Sequence, residues 1–244
     1  MPDLKGSDGP VLGFDTSAAH CAAAVVQDGR VLAERVEPMA RGQAERLFPL
    51  LEELLTAAGI GWLDLSAIGV GTGPGNFTGI RIAVAAARGL SLGLGVPAIG
   101  VTATEAAAFD LPRPCRVAVP LRGDEVVWED YGGGGEGEGA ARARSGANHP
   151  GAEAALAEAV DHQAAPAHPL APDNRTALGA GPHIARIVDL PPGPPLLAPR
   201  WPLAVAIAHI AAQRAAYPRP RPAPVYLRPA DAAPPRDRAP SLLP

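Results

Sequence analysis

The chain has 244 residues, a formal net charge of -4 and only 4% aromatic residues. An acidic chain argues against a protein that grips nucleic acid through its own phosphate contacts. Cys21 and Cys115 have no CxxC spacing, residues 1–10 are polar, and no run of about 18 apolar residues is evident. We therefore expect a cytoplasmic protein with reduced thiols and no membrane contact.

The first hundred residues predict one α/β lobe, residues 10–102. Three strands form a meander whose second turn is the hairpin signal Asp28-Gly29. The predicted elements are strands at 11–14, 21–26 and 31–36, a helix at 43–58, a strand at 67–70, a loop at 71–76, a helix at 77–94 and a strand in "GVPAIGV". Pro49 should kink the first helix, unless that helix starts only a few residues earlier.

The rest of the chain predicts a smaller, more variable lobe at 103–221 and an extended tail at 222–244. "TATEAAAF" predicts a short helix capped by Thr102 or Thr104, and "CRVAVPLRGDEVVWEDY" predicts two strands. Further on we predict a mobile glycine-rich loop after Tyr131, helices in "AEAALAEAV" and "PHIARIVDL", a strand in "RTALGAG", and a helix at 203–216 that is a candidate to pack back on the first lobe.

The order strand, glycine cluster, helix is typical of a phosphate-binding loop. The candidate anion site comprises Asp15, Thr16, Ser17, Gly71, Gly73, Gly75, Asn76 and Thr78. The loop has neither the lysine of a Walker A motif nor the GxGxxG spacing of a dinucleotide fold. Two interpretations therefore stay open: an anion site, and a tight strand-to-helix turn capped by Asn76 or Thr78.

No pattern of a catalytic or metal site is evident. The six histidines form no HxxxH or HExxH pair, and no GxSxG elbow occurs. A nucleotide-fold layout without such a constellation indicates a non-catalytic subunit, for which we predict no catalytic residue and no metal. Leu50 and Leu54 add a second apolar row to the first helix. Two interpretations of this row stay open: the chain's own sheet covers it, or it forms an interface with a partner.

Four segments together resemble the bacterial TsaB (YeaZ) family: "GFDTSAAHCAAAVVQDGRVL", "RGQAERLFPLLEELL", "GVGTGPGNFTGIRIAVAAARGLSLGLGVPAIGVTATEA" and the late "PVYLRP". The resemblance is dense over residues 11–106, thin over 107–221 and recovered at 224–229. It implies an actin-like ATPase (ASKHA, ribonuclease H-like) fold with two lobes. The family is the companion subunit in making threonylcarbamoyladenosine at position 37 of tRNAs that read ANN codons.

The resemblance also implies partners. The family pairs with the catalytic subunit TsaD through the helices of its first lobe, homodimerises through much the same surface, and supports a complex with the ATPase TsaE. By position, the interface maps onto Leu47, Leu50, Leu51, Leu54, Ile80, Arg81, Ala83, Val84, Ala86, Ala87 and Arg88. We expect that the chain has no cofactor of its own and that ATP or ADP binds only at the level of the complex. We also expect that the chain contacts tRNA only through the complex.

Two departures from the family are Gln43, where histidine is frequent, and Pro120, where a "DARxGEVY" segment has aspartate. Pro120 weakens any ligand site in the second lobe. The rival interpretation is an ATP-dependent phosphotransferase of the actin-like fold, with ATP between Asp15-Thr16-Ser17 and the glycine turns. The older label of an M22-type peptidase finds no support in these residues.

Overall fold

The computed structural model describes residues 9–132, 181–217 and 220–227. The strands are β1 (Val11–Asp15), β2 (His20–Gln27), β3 (Arg30–Pro38), β4 (Ala67–Gly71), β5 (Ala98–Val101), β6 (Cys115–Pro120), β7 (Glu125–Tyr131) and β8 (His183–Arg186). The helices are α1 (Gln43–Ala57), α2 (Phe77–Leu94), α3 (Ala103–Ala107) and α4 (Leu203–Arg214). The predicted elements of the first lobe are therefore confirmed within one or two residues at each end.

The first sheet has five strands in the order β3-β2-β1-β4-β5. β1, β2 and β3 are antiparallel neighbours, whereas β1, β4 and β5 run parallel. Asp28 and Gly29 both have positive φ, 51° and 74°, the conformation that a tight hairpin turn requires. A mixed sheet of this order, with helices in the crossovers, is the ribonuclease H-like, actin-like arrangement that we expected.

Apolar layers cover both faces of this sheet. In β1, Leu12 and Phe14 point into the layer of α1 and α2, and Val11 points into the layer of α4. A Cβ atom on Gly13 would lie 2.5 Å from the carbonyl oxygen of Ala204 in α4. α4 consequently packs with its backbone close to the sheet, which explains why its buried face is rich in alanine.

The leucines of α1 belong to the core. The side chains of Leu47, Leu50, Leu51, Leu54 and Leu55 are each at most 2% exposed. The second apolar row at Leu50 and Leu54 is therefore covered by the chain's own sheet. Pro49 lies inside α1, which runs without interruption from Gln43.

The sequence showed no run of about 18 apolar residues, but by length and composition α2, Phe77–Leu94, is long and apolar enough to span a membrane. However, α2 packs one face against the sheet, where Ile80, Ala83, Val84 and Ala87 are buried. The apolar character of α2 is therefore that of a helix in an α/β layer.

The second sheet has the order β6-β7-β8. We expected a helix in "PHIARIVDL", but His183–Arg186 is a strand paired antiparallel to β7, and Ile187–Asp189 is a short 3-10 helix. Pairing with β7 outweighs the weak local preference of this segment. The predictions for residues 133–180, for most of "RTALGAG" and for the tail after Leu227 lie outside the described residues.

α4 also packs against α3, which in turn contacts β6 and β7 of the second sheet. Arg214 near its end donates to Glu105 in α3 at 2.8 Å. Glu105 in turn completes a capping box with Thr102. Burial opposes ionisation of Glu105, yet the Arg214 guanidinium and the Thr102 bonds hold its pKa below the usual value.

We predict that His209 in α4 makes folding sensitive to mild acid. Its ring stacks on Phe109 at 5.5 Å and lies 5.3 Å from Trp201, and its Nε2 has no hydrogen-bond partner among the described residues. Burial lowers the pKa of His209, although the nearby Asp110 opposes this. The native state thus binds fewer protons than the unfolded state, and stability falls as the pH drops below the ordinary pKa of 6.5.

The measurement is urea unfolding between pH 7.5 and pH 5 for the wild type and for His209→Phe, which keeps an aromatic ring but cannot be protonated. The wild type should lose more stability than the variant over this range. Parallel stability curves for the two proteins would show that His209 does not contribute.

Candidate functional site

The two halves of the candidate anion site lie against each other. β1 and β4 are adjacent parallel strands, so the turn after β1 and the glycine loop after β4 leave the same edge of the sheet. The Asn76 amide donates to the carbonyl oxygen of Ser17 at 2.6 Å. The Thr16 hydroxyl donates to the carbonyl oxygen of Gly79 at 2.7 Å. The structure thus brings the candidate residues into one cluster.

Glycines make this contact possible. A Cβ atom on Gly71 would overlap the carboxylate of Asp15, and one on Gly75 or Gly79 would overlap a carbonyl oxygen of the β1–β2 turn. Backbone therefore packs directly on backbone, a use of glycine for close approach. The space between turn and loop is filled by the chain itself.

Asp15 is 1% exposed, and its carboxylate already has partners. Its Oδ1 accepts from the Ser17 amide at 2.8 Å and from the Ser17 hydroxyl at 2.9 Å. The His20 Nε2 atom lies 2.8 Å from the same oxygen. The sequence analysis missed His20, although its position at the start of β2, across the turn from Asp15, is the signal that could have found it.

Several polar groups in and beside the loop are paired within the chain. The Asn76 side chain caps α2, because its Oδ1 accepts from Thr78 at 3.0 Å and from Gly79 at 3.3 Å. The Thr72 amide donates to Val101 at 2.9 Å. The contacts favour the interpretation as a capped strand-to-helix turn.

The two cysteine thiols, Cys21 and Cys115, are buried and therefore poor nucleophiles. Burial raises the pKa of the Cys21 thiol to about 11, and the nearby Glu37 acts in the same direction. Burial also raises the pKa of Cys115, against the opposing effect of Arg113. Within residues 9–132, 181–217 and 220–227, no three His, Cys, Asp or Glu side chains form a group that could hold a metal ion.

A groove runs between α1 and α2 on the outer surface. It has a volume of about 600 Å³ and is lined by Ala44, Leu47, Phe48, Ile82, Ala85, Ala86, Gly89, Leu90, Gly93 and Leu94. Every lining side chain is apolar or absent. Phe48 at its rim is 43% exposed. An apolar groove of this kind on the surface indicates a docking site for another molecule.

The predicted interface residues fall into three sets. Leu47 and Ala86 line the groove. Arg81 and Arg88 are exposed on α2. The others are at most 3% exposed and pack inside the chain: Leu50, Leu51, Leu54, Ile80, Ala83, Val84 and Ala87. The sequence analysis missed most of the groove, although the row Ile82, Ala85, Gly89 and Gly93 repeats at helical spacing.

Residues 30–119 match the family model described as TsaD, tRNA N6-adenosine threonylcarbamoyltransferase. The chain superposes on YeaZ from Pseudomonas aeruginosa with a TM-score of 0.57 and 23% identity, covering 90% of this chain and 100% of that one. The chain is YeaZ-like.

A second solved structure agrees. It is titled an uncharacterized protein with similarity to peptidase YeaZ from Pseudomonas aeruginosa, and it matches with a TM-score of 0.57, 22% identity and the same coverage, 90% and 100%. No curated protein sequence matches this chain. The structural likeness shows the fold, and with the family-model match it supports a TsaB-type protein of tRNA modification. The matched segment 30–119 contains both helices of the groove.

We predict that Gly79→Ala destabilises the fold by about 2 kcal/mol or more, because the new methyl group would overlap the Thr16 carbonyl and force turn and helix apart. Gly89→Ala in the same helix is the matched control. A Cβ atom there meets nothing within 4 Å, so it should raise stability by about 0.5–1 kcal/mol.

Chemical denaturation of both variants tests this packing. Wild-type stability in Gly79→Ala would mean that the β1–β2 turn and the start of α2 are not in contact in solution.

Proposed function

We propose that the chain is a non-catalytic scaffold subunit of the complex that forms N6-threonylcarbamoyladenosine at position 37 of tRNAs reading ANN codons. In this role it pairs with the catalytic subunit TsaD. The observation that carries the proposal is the apolar groove between α1 and α2, which lies in the segment that matches the TsaD family model.

The shape of the groove suits a helix of a partner. Ala85, Ala86, Gly89 and Gly93 have little side-chain bulk, so a partner helix can approach the backbone of α2 closely. Phe48 provides a larger apolar surface on the α1 side. Docking there would remove apolar surface from water, which favours association.

The contacts of the glycine loop support the scaffold role. Asp15 and the backbone amides of Thr72 and Asn76 are paired within the chain, so we assign the reaction to the partner. We further propose that TsaE joins through the complex, that the free chain pairs with a second copy through the same groove, and that tRNA and ATP or ADP are bound only at the level of the complex. Such a complex would work in the cytoplasm.

The direct test is reconstitution with the TsaD homologue from the same cell. Calorimetry measures whether the two proteins bind, and a tRNA modification assay is run with and without this chain. Loss of modification only when the chain is omitted supports the proposal. Full modification without it contradicts the scaffold role, and ATP turnover by the isolated chain with magnesium would favour the phosphotransferase.

We predict that Ala86→Glu weakens TsaD binding at least about tenfold, because docking would bury a carboxylate against apolar surface. Ala86 lines the groove and is only partly exposed. The readout is the dissociation constant from calorimetry, with the melting temperature as a folding check.

Ala216→Glu introduces the same charge at an exposed position outside the groove and serves as the control. Binding of Ala86→Glu with the affinity of this control, in a folded protein, would rule out docking in the groove.

A further inference from the structure

A C-terminal segment lies across α2. We call residues 220–227 the strap; it contains most of the "PVYLRP" motif. The Val225 amide donates to the carbonyl oxygen of Thr72 at 2.9 Å, next to the glycine loop. Pro222 is buried, and its Cα lies 3.5 Å from where a Cβ on Gly100 in β5 would be. The strap is thus attached to the first lobe, at the carboxyl ends of β4 and β5.

The strap holds two arginines of α2. Arg81 Nε donates to the Tyr226 hydroxyl at 3.0 Å. Arg88 Nε donates to the carbonyl oxygen of Pro222 at 2.7 Å. The Arg81 guanidinium also stacks over the Phe77 ring at 3.9 Å, and Phe77 lies 4.8 Å from the Tyr226 ring. These contacts fix the orientation of both guanidinium groups.

The outer nitrogens of both groups are still available. Among the described residues, neither Arg81 nor Arg88 has a carboxylate partner or a hydrogen bond from Nη1 or Nη2. Both side chains are exposed. A guanidinium fixed through its Nε presents a planar pair of N–H donors, which is the geometry that binds a carboxylate.

The spacing and the charge of Arg81 and Arg88 determine which kind of partner surface they can bind. Arg81 and Arg88 are seven residues apart in one helix, which places them on one edge about 10 Å from each other. α2 and the strap contain three arginines, the third being Arg221, and no Asp or Glu. This edge is therefore positive in a chain whose net charge is -4, and it complements an acidic surface.

The edge is continuous with the groove. Leu92 follows Arg88 by one helical turn and is 84% exposed. On the same helix, Gly89 and Gly93 line the groove. A partner large enough to fill the groove and cover Leu92 also reaches Arg88, and through it the strap.

We propose that the strap-held arginines form a charged rim of the docking surface and bind carboxylates on the partner subunit that are spaced about 10 Å apart. This inference rests on the proposed function, since the partner is the protein that fills the groove. The apolar groove supplies contact area, while the arginine rim sets the orientation of the partner and speeds its association.

The test is calorimetry and association kinetics with the TsaD homologue at 50 and 300 mM NaCl. We expect wild-type binding to weaken as salt rises, because salt screens the rim. The double variant Arg81→Gln with Arg88→Gln should bind at least about fivefold more weakly at low salt and lose most of the salt dependence. The control is Arg30→Gln with Arg122→Gln, which removes two exposed charges elsewhere.

The outcomes separate the two proposals. A folded double variant that binds like the control overturns the rim, as does wild-type binding that salt does not change. The wild-type salt dependence decides the question if the double variant fails to fold. A wild-type chain that does not bind the TsaD homologue at either salt concentration contradicts the proposed function, and the rim with it.

Discussion

The packing of the glycine loop on the β1–β2 turn positions α2, on which the proposed docking surface depends. Because Gly71, Gly75 and Gly79 have no side chains, the loop approaches the turn closely enough for backbone hydrogen bonds. This contact fixes the first residue of α2 and hence the rotation of that helix on the sheet. The same contact thus positions the helix that forms one wall of the apolar groove.

The proposed docking surface exists because some apolar residues of α1 and α2 pack in the core while others line the groove. α1 and α2 each have an apolar face in the core and further apolar residues that line the groove. The core face of α1 consists mainly of leucines, whereas the groove is lined largely by Phe48, alanines and glycines. The strap completes this arrangement, since it fixes Arg81 and Arg88 at the other edge of α2.

The sequence alone predicted the first lobe well, because periodicity, the Asp28-Gly29 turn and the Asn76 cap are local signals. It could not distinguish the covered apolar face of α1 from the open one, since both repeat at helical spacing. It also missed His20, whose pairing with Asp15 depends on the hairpin geometry. The segment at His183–Arg186 was assigned to the wrong element because pairing with β7, a contact distant in sequence, decides its conformation.

The central claim is that this chain acts through the α1–α2 groove and not through the turn at Asp15. Hydrogen–deuterium exchange on the chain, alone and with the TsaD homologue, tests it most directly, because docking slows amide exchange in the segments it covers. The account predicts that the partner increases protection in 44–48 and 82–93 and leaves 15–20 unchanged. Protection confined to 15–20 and 71–79, with no change in the two helices, would contradict it.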